Sequence, residues 1–413
     1  MTEERLRVYL TTELFYPELP GGLRQFARYG PGLKERGIQI EIHTTRRDRE
    51  TPERLEIDDI KIVHHSVPEL PDHHRERALL LQRALEEIRT ARKSSPVCLQ
   101  PNGMSWGALR TVWGARLRGI PSILYFTMFP ETPPATAFSA LKYRFRIRSL
   151  VSPFTKLLVC SKRMGAAYQE IASIPSERIS VLPNGVSLEN FTPVADEAEK
   201  IALRNRHNLP SNHQIVLYSG SLIPRKGTDI LLEAWRRVAA QTPNATLVLL
   251  GSTGLRNTFR DPQLRTEFET FAEKTKPVIK ELQESGSLIV TGEVDTPDSY
   301  YQAADIFVFP SRREGLPNAV LEAMASGLPC VLSSFAGIPD NGEEFGDHGT
   351  HHIRTSHEPD ALARELLDLL GDHQRRHQIG TAARKLMEET QGLDRAVDSL
   401  AATYLEIAGQ PQL

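Results

Sequence analysis

Cysteine is nearly missing from this chain: there are three in 413 residues, Cys98, Cys160 and Cys330, far apart and each inside an apolar run. That leaves no disulfide framework and no paired-cysteine metal spacing, and all three thiols are expected in the core. Net charge is almost missing too, at −2, so the bulk composition carries no electrostatic footprint for nucleic acid. No apolar run is long enough to span a bilayer, and Met1-Thr2-Glu3-Glu4-Arg5 leads straight into a strand rather than reading as a secretory leader. A cytoplasmic protein is expected. There is no Asp-x-Asp pair for Mg²⁺. The adjacent pairs His64-His65, His73-His74 and His351-His352 point to opposite faces of a strand and rarely share one ion. No metal and no cofactor is therefore expected. Tandem repeats and low-complexity tracts are also lacking. What remains is 40% hydrophobic and 25% charged, an ordinary globular composition with length for two or three domains.

The most informative stretch is Glu314-Gly315-Leu316-Pro317-Asn318-Ala319-Val320-Leu321-Glu322. Ile306 to Phe309 before it reads as a short buried strand, and Pro310-Ser311-Arg312-Arg313 breaks that strand. Pro317 suits the first helical position, Gly327 stops the helix, and Pro329 to Leu332 reads as the next strand. The unit is β-α-β, so its strands should be parallel. Glu314 then lies in the loop past the strand's carboxyl end, where open α/β sheets bind ligands. Glu322 lies more than a turn inside the helix. The helix start offers N–H groups to an anion, and carboxylates on either side suit a hydroxyl-rich ligand. On spacing alone, a solvated loop acid and an exposed helix acid are the plainer reading.

The rest of the chain alternates in the same way. Arg7–Leu10 and Gln39–His43 are strands around a helix that begins near Leu23 and is preceded by Gly21-Gly22. That pair allows either a close backbone approach to a ligand or a simple tight turn. Strands are expected at 60–65, 97–100, 122–126, 157–160, 179–182, 215–218, 246–250 and 288–291, with helices at 79–88, 106–117, 228–235, 362–370, 383–387 and 393–407. This order predicts parallel sheets covered on both faces. Residues 192–213, polar and carrying Pro193 and Pro210, read as a linker with a short helix. Arg225-Lys226-Gly227 sits on the ligand edge beside a helix start and suits a pyrophosphate, though a surface Arg-Lys pair is common. Residues 139–156 hold Lys142, Arg144, Arg146, Arg148 and Lys156 and no acid, with Phe138, Leu141 and Phe145 on one helical face. Such a segment either lies on an anionic membrane or packs on a core with its basic face solvated.

The run from Pro310 to Pro329 resembles the donor-site segment of the family 4 retaining glycosyltransferases of GT-B fold, whose pattern is Glu, seven residues, Glu. Pro183-Asn184-Gly185-Val186 with Phe191, and Lys226-Gly227, are similar to further family segments, so the resemblance spans nearly the whole chain. It implies an α/β protein of two Rossmann-like domains with parallel sheets across a cleft: residues 1–190 on the acceptor side, a linker at 191–213, a nucleotide-sugar domain at 214–390, and a terminal helix at 393–408 packing back on the first. It implies a hexosyltransferase taking a nucleotide-diphosphate sugar, UDP-hexose before GDP-mannose, to a hydroxyl of a glycan, lipid-linked or small-molecule acceptor. In that reading Glu314 holds the sugar with backbone groups at Gly315 and Leu316, and Glu322 meets the ribose. Lys226 and Arg225 take the diphosphate charge. Gly292 and Val294 of Gly292-Glu293-Val294-Asp295 meet the base, and Gly21-Gly22 faces the phosphates and the acceptor. Asp340 is a shortened version of a family glutamate.

Two positions depart from the family. No histidine follows the strand ending at Phe126, where Thr127 or Glu131 would have to substitute, and Ser221 replaces an arginine whose charge Arg225 would supply. A nucleotide-sugar epimerase of the same fold and a catalytically silent GT-B partner subunit stay open on these grounds. A basic face on 139–156 also leaves a peripheral membrane contact and a lipid-linked acceptor open.

Overall fold

Apolar strands with both faces covered assemble in parallel. In the computed structural model, which describes residues 6–12, 21–46, 50–57, 59–67, 73–102, 106–131, 133–134, 136–252, 262–335 and 344–409, they collect into two compact units. One holds Met1–Gly185 and Leu393–Leu413, the other Val186–Gly392.

In the first unit the strands are β1 (Leu6–Thr11), β2 (Ile38–Thr45), β3 (Arg54–Ile57), β4 (Ile60–His65) and β5 (Val97–Pro101), ordered β3-β4-β2-β1-β5. A second sheet holds β6 (Ile123–Phe126), β7 (Lys156–Val159) and β8 (Ile179–Val181) in sequence order, and a parallel bridge from Leu99 to Ser122 links the two. Every pairing is parallel except β3 on β4. β3 was not foreseen, because Arg-Leu-Glu-Ile alternates at an exposed edge and carries too few apolar residues to stand out. Gly21-Gly22 opens the helix Gly21–Glu35 rather than forming a turn before it. The helix expected at 79–88 runs His73–Ala91, its start disguised by a polar opening. The terminal helix Leu393–Ile407 belongs to this unit, where the Tyr404 hydroxyl donates to Gln100 Oε1 at 2.6 Å.

The second unit has β9 (Gln214–Ser219), β10 (Ala245–Leu250), β11 (Leu288–Gly292), β12 (Ile306–Phe309), β13 (Cys330–Ser333) and β14 (Ile353–Thr355). They form one parallel sheet ordered β11-β10-β9-β12-β13-β14. The chain steps outward from β9 to β11, then returns to β12 and steps out the other way. The order therefore reverses between β9 and β12, and in open α/β sheets ligands bind at that point, beyond the carboxyl ends. The segment read as a linker supplies a helix, Glu197–Arg206, capped by Asp196, whose side chain accepts from Glu199 N at 2.8 Å. Cys98, Cys160 and Cys330 are all buried thiols.

Candidate active site

Two loops leave the sheet at the reversal point: one from β9, through Ser221 to Gly227, and one from β12, through Pro310 to Pro317. The first closes in a tight turn, Pro224–Lys226, and Gly227 ends it at φ +69°. A Cβ on Gly227 would stand 1.9 Å from the Pro310 carbonyl oxygen, so only glycine lets the turn press onto the end of β12. The loops are then tied together. Arg312 N donates to the Arg225 carbonyl at 2.9 Å, and Ser311 Oγ lies 3.1 Å from the same oxygen. Arg312 grips both oxygens of Asp229, at 2.8 and 2.7 Å.

Glu314 sits at the middle of this contact and is 5% exposed. Its Oε1 accepts from Arg225 Nη1 at 2.6 Å, Lys226 Nζ at 2.8 Å and Ser311 Oγ at 2.7 Å. The solvated-acid alternative therefore fails for Glu314: it is buried and held by two cations. Lys226 also stands 4.8 Å above the Phe309 ring. Burial holds the Lys226 ammonium below its ordinary lysine value, Glu314 opposing that effect and Arg225 adding to it. A cationic pair in a partly dry setting, with one carboxylate oxygen between them, is primed to accept a second, more highly charged anion.

Glu322 is buried as well, at 8% exposure, in the helix Asn318–Ala325, where its Oε2 accepts from the Tyr301 hydroxyl at 3.1 Å. The helix starts one residue later than expected. Pro317 is its cap, in extended backbone, and no side chain caps the end. The helix Thr228–Ala239, entered from Gly227, has no side-chain cap either. Both helices start at the reversal point, where the positive end of a helix dipole favours an anion. Tyr301 and Ser311 were missed from the sequence. A serine three residues before Glu314 in the same loop was a signal for the second; a buried tyrosine of the short helix Asp298–Ala303 gave none for the first.

Gly315 and Leu316 are buried beside Glu314, and Gly292 ends β11 on the same edge, its carbonyl accepting from Gly251 N at 2.8 Å. Val294 is half-buried in the loop that follows, and Ser221 is exposed, its carbonyl accepting from the Tyr218 hydroxyl at 3.0 Å. Asp340 lies outside the described residues. In the first unit, Thr127 is exposed directly after β6, and the Glu131 carbonyl accepts from the Tyr143 hydroxyl at 3.2 Å. The basic segment is the helix Ala137–Val151. Lys156 is not part of it: this lysine begins β7, buried and paired with Glu406. The core-packed alternative for the Phe138 face fails, since Phe138, Leu141 and Phe145 are 80%, 66% and 70% exposed. Among the described residues no helix is long and apolar enough to cross a membrane.

Residues 199–386 match the family described as glycosyl transferases group 1, and residues 21–185 match the glycosyl transferase 4-like domain. The chain belongs to the family 4-like glycosyltransferases and has the GT-B fold. Among curated relatives, this glycosyltransferase is 31% identical over 214 residues to a GDP-mannose-dependent monoacylated alpha-(1-6)-phosphatidylinositol monomannoside mannosyltransferase of Corynebacterium glutamicum, covering 50% of this chain and 51% of that one. It is 28% identical over 238 residues to the lipopolysaccharide 1,2-N-acetylglucosaminetransferase of Salmonella typhimurium, covering 56% and 57%. The chain thus spans about half the length of the curated relatives it matches. Among solved structures, Anabaena HepE in complex with UDP-glucose superposes with a TM-score of 0.73 at 17% identity, over 97% of this chain and 99% of that one.

Proposed function

We propose that the second unit binds a nucleotide-diphosphate sugar at the β9–β12 reversal and passes its hexosyl group to an acceptor hydroxyl with retention at the anomeric carbon. The observation that carries this is the convergence of Arg225, Lys226 and Glu314 between two uncapped helix starts. In this reading the diphosphate takes Arg225 and Lys226 from Glu314, which frees the carboxylate to accept from sugar hydroxyls, while Gly315 and Leu316 offer backbone N–H groups. Glu322 accepts from the ribose, and the loop of Gly292 and Val294 meets the base. As the bond from the anomeric carbon to the phosphate oxygen breaks, the two cations neutralise the growing charge. The acceptor oxygen attacks from the same side, and its proton passes to the leaving phosphate, so no protein nucleophile is needed. The cations supply the neutralisation that a divalent ion would otherwise provide, and transfer is proposed to proceed without one.

UDP-hexose is the first donor proposed and GDP-mannose the second. The bound UDP-glucose of HepE and the GDP-mannose dependence named for the corynebacterial relative support both. Thermal-shift titration with both donors, followed by release of nucleoside diphosphate in the presence and absence of EDTA, tests the reading. Failure of every nucleotide sugar and of free UDP and GDP to shift the protein would sink it; binding without turnover would favour a silent subunit, and donor epimerisation without acceptor an epimerase.

The acceptor is proposed to be lipid-linked and met at an anionic membrane surface on the cytoplasmic side. Phe138, Leu141 and Phe145 stand open on one helix with Lys142, Arg144, Arg146 and Arg148 exposed around them. Each such cation near an anionic leaflet contributes about 1 kcal/mol, and the open apolar side chains supply insertion. The names of the two relatives, which act on a phosphatidylinositol mannoside and on lipopolysaccharide, agree with this.

A further inference from the structure

Three ligand-type side chains converge in the first unit, away from the donor residues. His43 of β2 pairs in register with Val63, and His65 of β4 with Thr45. The two histidines are thus diagonal neighbours on one face of the sheet. Helix His73–Ala91 brings Glu87 to them. His43 Nδ1 stands 2.7 Å from His65 Nε2, and the ligand atoms of His43, His65 and Glu87 all lie within 4.8 Å of one another. His43 is buried and the other two are half-buried. Glu41, two residues earlier on β2, places Oε1 3.0 Å from His43 Nε2. An Nε2–H donated to Glu41 leaves Nδ1 as the lone-pair atom facing His65. A carboxylate behind an imidazole in this way is the usual outer support of a metal-bound histidine. Arg54 Nη2, 3.1 and 3.2 Å from the Glu87 oxygens, holds that carboxylate in place.

We propose that His43, His65 and Glu87 form a binding site for a divalent transition ion, zinc above all, with Glu41 as its supporting carboxylate. Two imidazoles and a carboxylate suit zinc better than magnesium or calcium, which favour all-oxygen sets. Tetrahedral zinc–nitrogen bonds would place the two ring nitrogens about 3.3 Å apart. The rings must therefore part slightly, and the proton between them shifts to His65 Nδ1, so that His43 binds through Nδ1 and His65 through Nε2 as neutral imidazoles. Ligands from two strands and a helix would clamp that helix to the sheet, a structural role separate from transfer. The proposed site departs from the sequence expectation of no metal, because the partner of His65 comes from the neighbouring strand, which no local spacing reveals. Among the described residues it is the one such three-ligand group.

The test is titration of the chelator-stripped 413-residue chain with Co²⁺, read by its visible d–d absorption, with Zn²⁺ as competitor. One equivalent is expected, displaced by Zn²⁺, with the band lost in Glu87→Gln and in His65→Gln and retained in His348→Gln, which lies in a separate histidine-rich turn. Glu41→Gln should weaken binding about 10–100-fold. Circular dichroism establishes that each variant is folded; Glu87, at a helix surface, is the safest of them. Absence of a cobalt band in the wild type, or a band that survives in Glu87→Gln, overturns the proposal.

Discussion

Lys226 Nζ and Glu314 Oε1 lie 2.8 Å apart across the β9–β12 reversal, and Arg225 Nη1 lies 2.6 Å from the same oxygen. One carboxylate oxygen holds two cations from the opposite loop. In the proposed function this arrangement keeps the cations in place before the donor arrives and frees the carboxylate once a diphosphate takes them.

Glu314→Gln and Lys226→Met should each lower turnover by about 10²–10³-fold, the scale of losing one charge-stabilising group. Their ligand responses should differ. With its carboxylate competitor gone, Glu314→Gln should keep or enlarge the thermal shift given by UDP, while Lys226→Met should shrink it. Near-normal turnover in both variants would remove these residues from the chemistry.

The lowered Lys226 pKa fixes a pH dependence. Between that lowered value and the ordinary lysine range the unfolded chain binds more protons at this site than the folded one, so its contribution to stability rises with pH there. In the proposed function donor binding uses the ammonium, so it should weaken over the same window. Removing the Glu314 charge lowers the Lys226 pKa further, so in Glu314→Gln the alkaline limb of UDP affinity should move to lower pH. Movement to higher pH would contradict the coupling.

Tyr301→Phe removes the hydroxyl that Glu322 accepts from. Losing a hydrogen bond of about 0.5–1.5 kcal/mol should raise the donor KM roughly 2–10-fold and leave kcat nearly unchanged. Tyr300→Phe, whose ring stacks on His207, is the control. A loss confined to kcat would place Glu322 elsewhere in the reaction.

Gly227→Ala meets the Pro310 carbonyl, whereas Gly286→Ala has a similar φ of +75° with nothing within 4 Å. Both should carry left-handed strain of about 1–2 kcal/mol. Only Gly227→Ala should lose more melting temperature than that and depress kcat/KM. Equal losses would mean the turn can retreat from β12.

Replacing Phe138, Leu141 and Phe145 together by serine should leave the melting temperature unchanged, since all three are exposed. Co-sedimentation with phosphatidylglycerol vesicles should fall sharply, and the wild-type interaction should weaken with added salt. Undiminished sedimentation would dismiss this helix as the membrane contact.

Local pattern determined a good deal on its own. The strand Ile306–Phe309, the loop with Glu314 and the helix with Glu322 were legible because proline, glycine and apolar period act over a few residues. Strand–helix alternation likewise specified parallel sheets, since each crossover helix must cover a face. Tertiary structure alone decided the strand order that sets β9 beside β12 and so joins Arg225, Lys226 and Glu314. It also took Lys156 out of the basic helix and buried it as a partner of Glu406, gave Glu322 its tyrosine, and set His43 against His65. These pairings link residues distant in the chain, and electrostatic and hydrogen-bond energies depend on separation in space, which no window of sequence contains.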